Sequence, residues 1–240
     1  VMINKIKYIL LSLIISLAFS QSFSSVNSKI TPDQKKMISQ ARSLESSGLL
    51  DEAALAYNNI LQKFPTFREA FIPLKKIYLN KSNWVELDNI ANAYLTANKY
   101  NVDSKVDILD IYILADNSKW NKIAIEIYNY KPIKTHLRKK VLSILLKNNK
   151  ESLVIDLVKE SRVNNKMKGF YSLELGMYFA LKFDFNQAIK EYLIYLESNP
   201  KNIRLITQRI MLLTENITSI NIIKNELTES PLNESKIILS

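Results

Sequence analysis

Gly48-Leu49-Leu50-Asp51-Glu52-Ala53, followed by Tyr57 and Pro65, has a counterpart in Gly176, Phe185-Asn186-Gln187-Ala188, Tyr192 and Pro200. Both stretches place a small residue between two apolar segments, then an alanine and a tyrosine four apart, then a proline that closes the segment. Alanine and tyrosine at i and i+4 lie on one helical face, and a proline ends a helix by removing a donor and crowding the preceding turn. The reading is a pair of helices joined by a tight turn. Aligning the chain on the residue that opens each second helix gives Leu50, Trp84, Trp120, Lys150, Phe185 and Ile217, at intervals of 34, 36, 30, 35 and 32. Prolines close second helices at Pro65, Pro132, Pro200 and Pro231, separated by 67, 68 and 31 residues, which is two, two and one such intervals. A period of this length means stacked two-helix units, each covering its apolar face only by contact with its neighbours.

Composition agrees. The chain has 240 residues, 47% hydrophobic and 23% charged, with only 3 Gly and 6 Pro. Sparse punctuation of this kind favours helices on short connections over a turn-rich sheet protein. There is no cysteine, which excludes disulfides, thiolate metal sites and a cysteine nucleophile.

The helices open at Thr31-Pro32-Asp33-Gln34, with a capping hydroxyl, a proline at the first helical position and a glutamine that closes a capping box. The first helix is expected to run to about Ser47, with Met37, Ala41 and Leu44 on its apolar face and Gly48 ending it. Asp51 to Phe64 forms the second, with Ala53, Tyr57 and Ile60 facing the first. Thr66 and Glu69 read as a further capping box opening a helix to Asn80. Pro73 inside that helix means that it either kinks there or starts late, with Pro73 in its first turn.

These residues resemble the tetratricopeptide repeat family. Leu175, Gly176, Phe179, Ala188, Tyr192 and Pro200 fill its pattern in the fifth unit, and Leu44, Ala53, Tyr57 and Pro65 fill most of it in the first. In the second unit Leu74, Tyr78, Trp84, Leu87, Ala91 and Tyr94 keep the size but not the small residues, and elsewhere only the period remains. The resemblance spans about residues 31–231. It implies an all-α fold, an α-solenoid of about six antiparallel helix pairs, and a protein-binding function. The two-Lys, two-Asn clamp with which some members hold a peptide carboxylate is missing, since Ile38 and Arg42 stand where Lys and Asn would. In such a solenoid the first helices line the concave face. The expected partner-binding residues are therefore their non-core positions: Lys35, Ile38 and Arg42, then Ile72 and Lys76, Ile108 and Tyr112, and Phe170, Leu173 and Met177.

Residues 1–20 have the grammar of an export signal. Lys5 and Lys7 precede a nearly unbroken apolar run from Tyr8 to Phe19, and Ala18-Phe19-Ser20 places small residues where a signal peptidase reads. The run is about 12 residues, short of the roughly 20 that span a bilayer. Cleavage is expected near Ser20, followed by a polar linker, 21–30, with the protein in the periplasm or cell envelope. The segment 232–240 reads as the start of a further helix or a frayed tail; its apolar Ile237, Ile238 and Leu239 are expected either to continue into further repeats of a longer protein or to pair with another chain.

The net charge of +10 comes from 27 Lys against 6 Arg. Arginine is the preferred reader of phosphate and base edges, so this balance does not favour nucleic acid. The remaining chemistry is thin. His136 is the only histidine, the glycines are too few for a phosphate loop or nucleophile elbow, and Asp107 with Asp110, or Glu151 with Asp156, read as solvated helix faces. Trp84 and Trp120 read as packed between helices. The expectation is a non-enzymatic scaffold with no metal or cofactor, binding protein or peptide partners. Two rival readings stand beside it. In one, the basic segment Lys131–Lys140, with Arg138, Lys139 and Lys140, rests on anionic membrane; in the other, the repeats belong to a larger envelope enzyme or a secretion or assembly complex.

Overall fold

The computed structural model describes residues 30–132, 134–164, 167–214 and 217–239. Of these, 78% are helical and none is in a strand. The expected export signal lies outside the described residues, as does nearly all of the linker. Thirteen α-helices follow one another among the described residues: α1 (Pro32–Ser46), α2 (Leu50–Lys63), α3 (Arg68–Asn80), α4 (Trp84–Ala97), α5 (Val102–Leu114), α6 (Trp120–Tyr128), α7 (Thr135–Lys147), α8 (Glu151–Asn164), α9 (Ser172–Leu181), α10 (Phe185–Ser198), α11 (Ile203–Met211), α12 (Ile217–Glu229) and α13 (Asn233–Leu239). A 3-10 turn at Pro200–Asn202 precedes α11. This is an all-α helical repeat of six helix pairs plus one short helix. The residues fall into two compact units, divided between Leu74 and Lys75.

Second helices begin at Leu50, Trp84, Trp120, Phe185 and Ile217, as the alignment expects, and at Glu151, one residue after Lys150. A backbone device shared by the turns explains this regularity. Gly48, Ser82, Asp116, Asn149 and Phe183 all have positive φ, between 51° and 78°, and are spaced 34, 34, 33 and 34 residues apart. At each, the next residue's N–H donates five residues back: Leu49 to Leu44, Asn83 to Tyr78, Asn117 to Tyr112, Lys150 to Leu145, and Asp184 to Phe179, at 2.8–3.0 Å. The left-handed residue itself donates three back, as Gly48 does to Glu45 at 3.0 Å and Phe183 to Ala180 at 3.1 Å. That double bond is the Schellman closure, which satisfies the last carbonyls of a helix and reverses the chain. The reversed chain then enters the second helix at once. Asn83 and Asp184 accept the N–H groups of Glu86 and Gln187 with their side chains, so the residue after the turn also caps the next helix.

In the first unit the Thr31–Gln34 capping box is formed, with Thr31 N–H on the Gln34 side chain at 2.9 Å and Gln34 N–H on the Thr31 hydroxyl at 3.2 Å. Ala53, Tyr57 and Ile60 are buried as expected, and the Tyr57 hydroxyl donates to Glu45 across the pair at 2.6 Å. On α1 the buried positions are Ile38 and Ala41, whereas Met37 and Leu44 are half-buried. Helix α3 begins at Arg68 rather than in a Thr66 box. The Phe67 carbonyl accepts from Ala70 and Phe71, which puts Phe67 at the cap. The helix begins two residues later than expected, but Pro73 falls at its sixth position, past the first turn that the late-start reading required, so the helix runs through the proline.

In the second unit, α5 is enclosed nearly all round. Val102, Val106, Ile108, Leu109, Ile111, Tyr112 and Ile113 are buried, as are Ser104 and Asp107. A helix with apolar residues on every side cannot leave a face in water and is covered on several sides. Farther on, Ala188, Ile189, Tyr192, Leu196, Ile206, Ile210, Ile223 and Leu227 form one core from α10 to α12, against which Leu232 and Ile238 pack. Segment 233–239 is thus helical, with Ile238 inward and Ile237 and Leu239 exposed.

Candidate interaction surface

The expected partner-binding residues separate into three groups. Lys35 and Arg42 on α1 and Lys76 on α3 are exposed. Ile72, Leu173 and Met177 are half-buried, and the last two pack against the C-terminal core. Ile38, Ile108, Tyr112 and Phe170 are buried and cannot meet a partner directly. The correction has a physical reason. Apolar side chains assigned to an open groove are covered wherever neighbouring helices pack closely enough to remove them from water, at roughly 25 cal/mol per Å² of apolar area.

First helices of the second unit are laced together by polar contacts about one repeat apart. The Lys75 ammonium donates to the Asp107 carbonyl at 2.7 Å and to Asp110 Oδ1 at 2.6 Å, joining α3 to α5. Lys140 on α7 lies 3.8 Å from Asp107 Oδ1. Lys139 donates to Glu174 at 2.7 Å, and Ser143 and the Tyr171 hydroxyl are 2.9 Å apart, joining α7 to the start of α9. Asp107 is therefore a buried, ion-paired carboxylate, not part of a solvated face. Glu151 and Asp156 are exposed, in keeping with the expectation for them.

Of the cations in the basic segment from Lys131 to Lys140, Lys131 and Lys139 are exposed but Arg138 is not. Arg138 is 3% exposed, donates through Nε to the Tyr128 carbonyl at 3.0 Å and through one terminal nitrogen to Ser161 Oγ at 3.2 Å, and lies 4.6 Å from the Tyr128 ring centre. The Tyr128 hydroxyl donates to the Leu157 carbonyl at 2.8 Å and is 2.6 Å from Ser161 Oγ. Lys139 and Lys140 are ion-paired, so Arg138, Lys139 and Lys140 all engage neighbouring helices. Sequence gives no signal that separates a buried arginine from a surface one, because the partners are a backbone carbonyl and residues 10 and 23 positions away.

Second helices are tied in the same way. Arg162 on α8 grips Glu191 on α10 with two bonds of 3.1 and 2.6 Å, and its Nε donates to the Phe170 carbonyl at 3.1 Å. Bidentate, partly buried pairs like this are stronger than exposed ones. Trp84 and Trp120 are not core residues: Trp84 is 42% exposed and Trp120 is half-buried. Each opens its helix, and a first-turn side chain leans back toward the N-terminus, over the turn and away from the packed interface.

Six tyrosines, Tyr57, Tyr112, Tyr128, Tyr171, Tyr178 and Tyr192, hold their protons above the ordinary value of 10.0, in every case mainly because burial penalises the phenolate. Tyr192 is pushed up to about 12, against the opposing pull of Arg209. His136 is exposed. Among the described residues no group of three His, Asp or Glu side chains is close enough to hold a metal ion, and no helix is long and apolar enough to cross a membrane. No family model, curated protein or solved structure matches the chain.

Proposed function

We propose that the chain is a non-enzymatic scaffold of the tetratricopeptide kind, exported to the periplasm or cell envelope, that holds segments of partner proteins. The observation that carries this reading is the strict spacing of the five Schellman turns, which repeats one helix pair along the chain. Repeated pairs of this kind present extended surfaces and suit recognition better than enclosed reaction sites. The export assignment rests on Lys5, Lys7 and the Tyr8–Phe19 run alone. On α1, Lys35 and Arg42 are seven residues apart on one face, two helical turns with both cations in water, and form the best-supported contact among the expected residues.

Affinity capture from envelope extract, followed by mass spectrometry, tests the reading with the wild-type chain and a Lys35→Glu/Arg42→Glu variant. Both positions are exposed, so reversal leaves the fold intact. The scaffold reading expects a discrete set of captured proteins that the variant loses. Capture of the same set by both chains overturns the assignment to α1, and capture of nothing specific by either overturns the scaffold.

A further inference from the structure

The first-to-second-helix turns of the second unit form one continuous edge. The Asn117 amide, in the turn before α6, donates to Asp88 in the first turns of α4 at 3.4 Å. The Lys150 ammonium, in the turn before α8, lies 4.8 Å from the Trp120 ring centre. Lys182, in the turn before α10, donates to Asn149 Oδ1 at 3.3 Å, and the Tyr178 hydroxyl donates to Glu151 at 3.3 Å. Four successive turns are thus side by side.

Large apolar side chains stand in water along this row: Val85 is 71% exposed, Phe183 60%, Leu114 48%, Trp84 42% and Leu181 38%. Six lysines lie in these turns or within two residues of the helix ends beside them, Lys81, Lys119, Lys122, Lys147, Lys150 and Lys182, all exposed but for the half-buried Lys150, against the carboxylates Glu86, Asp116, Glu151 and Asp184. Two of those carboxylates are already engaged, Asp184 in capping α10 and Glu151 with Tyr178.

We propose that this turn edge docks on an anionic lipid surface. Aromatic and aliphatic tips interleaved with lysine match the membrane interface, where amphipathic rings sit at headgroup level and each cation near anionic lipid adds to binding. These apolar tips stand at three of the four turns, Trp84 with Val85, Leu114, and Leu181 with Phe183, rather than in one contiguous patch, which suits a planar partner better than a pocketed one. The surface differs from the Lys131–Lys140 segment, where Arg138 is buried and no large apolar tips accompany the lysines on α7, and from the apolar N-terminal run. It is also independent of which protein segments the scaffold holds.

Both tryptophans of the chain, Trp84 and Trp120, lie on the edge, so their emission reports this surface alone. The full chain is mixed at low salt with vesicles of phosphatidylcholine containing about a third phosphatidylglycerol, and in parallel with pure phosphatidylcholine. The expected result is a blue shift of the emission and quenching by brominated lipid, on the anionic vesicles only. Val85→Ser/Phe183→Ser lowers vesicle affinity about ten-fold, while Val163→Ser, an exposed valine at the far end of α8, leaves it unchanged. Circular dichroism of the variants checks that the fold is kept. Pelleting without a change in emission means that another segment anchors the chain and overturns the proposal. Absence of binding, equal binding to both vesicles, or wild-type affinity in the double variant overturns it as well.

Discussion

At Gly176 the backbone of α9 approaches α10 closely. A Cβ there would sit 2.5 Å from the Tyr192 ring, which is 2% exposed, and 3.3 Å from the Ala188 carbonyl oxygen. The ring is enclosed in the C-terminal core and has little room to move. Gly176→Ala is therefore expected to destabilise the fold by about 1–3 kcal/mol through overpacking, despite alanine's better helix propensity. Urea unfolding followed by circular dichroism checks this, and an unchanged or raised midpoint would show that the ring yields. The trio Gly176, Ala188 and Tyr192 was legible in the sequence because steric fit restricts residue type there. Arg138 was not legible. Its burial depends on Tyr128 and Ser161, which only the packing of α6, α7 and α8 brings to it.

At the scale of the element, the Schellman turns set the period more strictly than the side chains do. Only the first carries glycine; Ser82, Asp116, Asn149 and Phe183 take the left-handed conformation at a cost of roughly 1 kcal/mol each, less for the Asp and Asn. The sequence signal for these turns was therefore faint at four of five positions, and the helix starts had to be read from apolar spacing. Two substitutions of opposite sign test the account. Gly48→Ala meets nothing within 4 Å of the new Cβ, so its expected loss of about 1 kcal/mol measures φ alone. Ser82→Gly relieves the same strain and, after the added freedom of the unfolded chain, should gain about 0.5 kcal/mol. Thermal unfolding of the two variants beside wild type reads both shifts. A loss on Ser82→Gly would mean that the turn is not strained.

At the scale of the molecule, burial of tyrosine hydroxyls predicts alkaline weakness. A folded-state pKa raised above the unfolded 10.0 leaves stability intact below pH 10 and erodes it as the unfolded chain releases protons that the fold retains. For Tyr192 the window runs from about pH 10 to about 12, and Tyr57, Tyr112, Tyr128, Tyr171 and Tyr178 act in the same direction. The melting temperature should fall across that range, with tyrosine absorbance near 295 nm rising together with loss of helix; a flat melting temperature to pH 12 would contradict the burial of these hydroxyls. What the sequence alone determined was the all-α class, the six pairs and nearly every second-helix start, since these follow from local rules: apolar period, capping residues and proline stops. The apolar faces of the first pair were legible too, but the tertiary structure alone decided how much of the remaining helix surface meets water. It buried Ile38, Ile108, Tyr112, Phe170 and Arg138 and left Trp84 and Phe183 outside, because exposure at these positions depends on neighbours far away in the sequence.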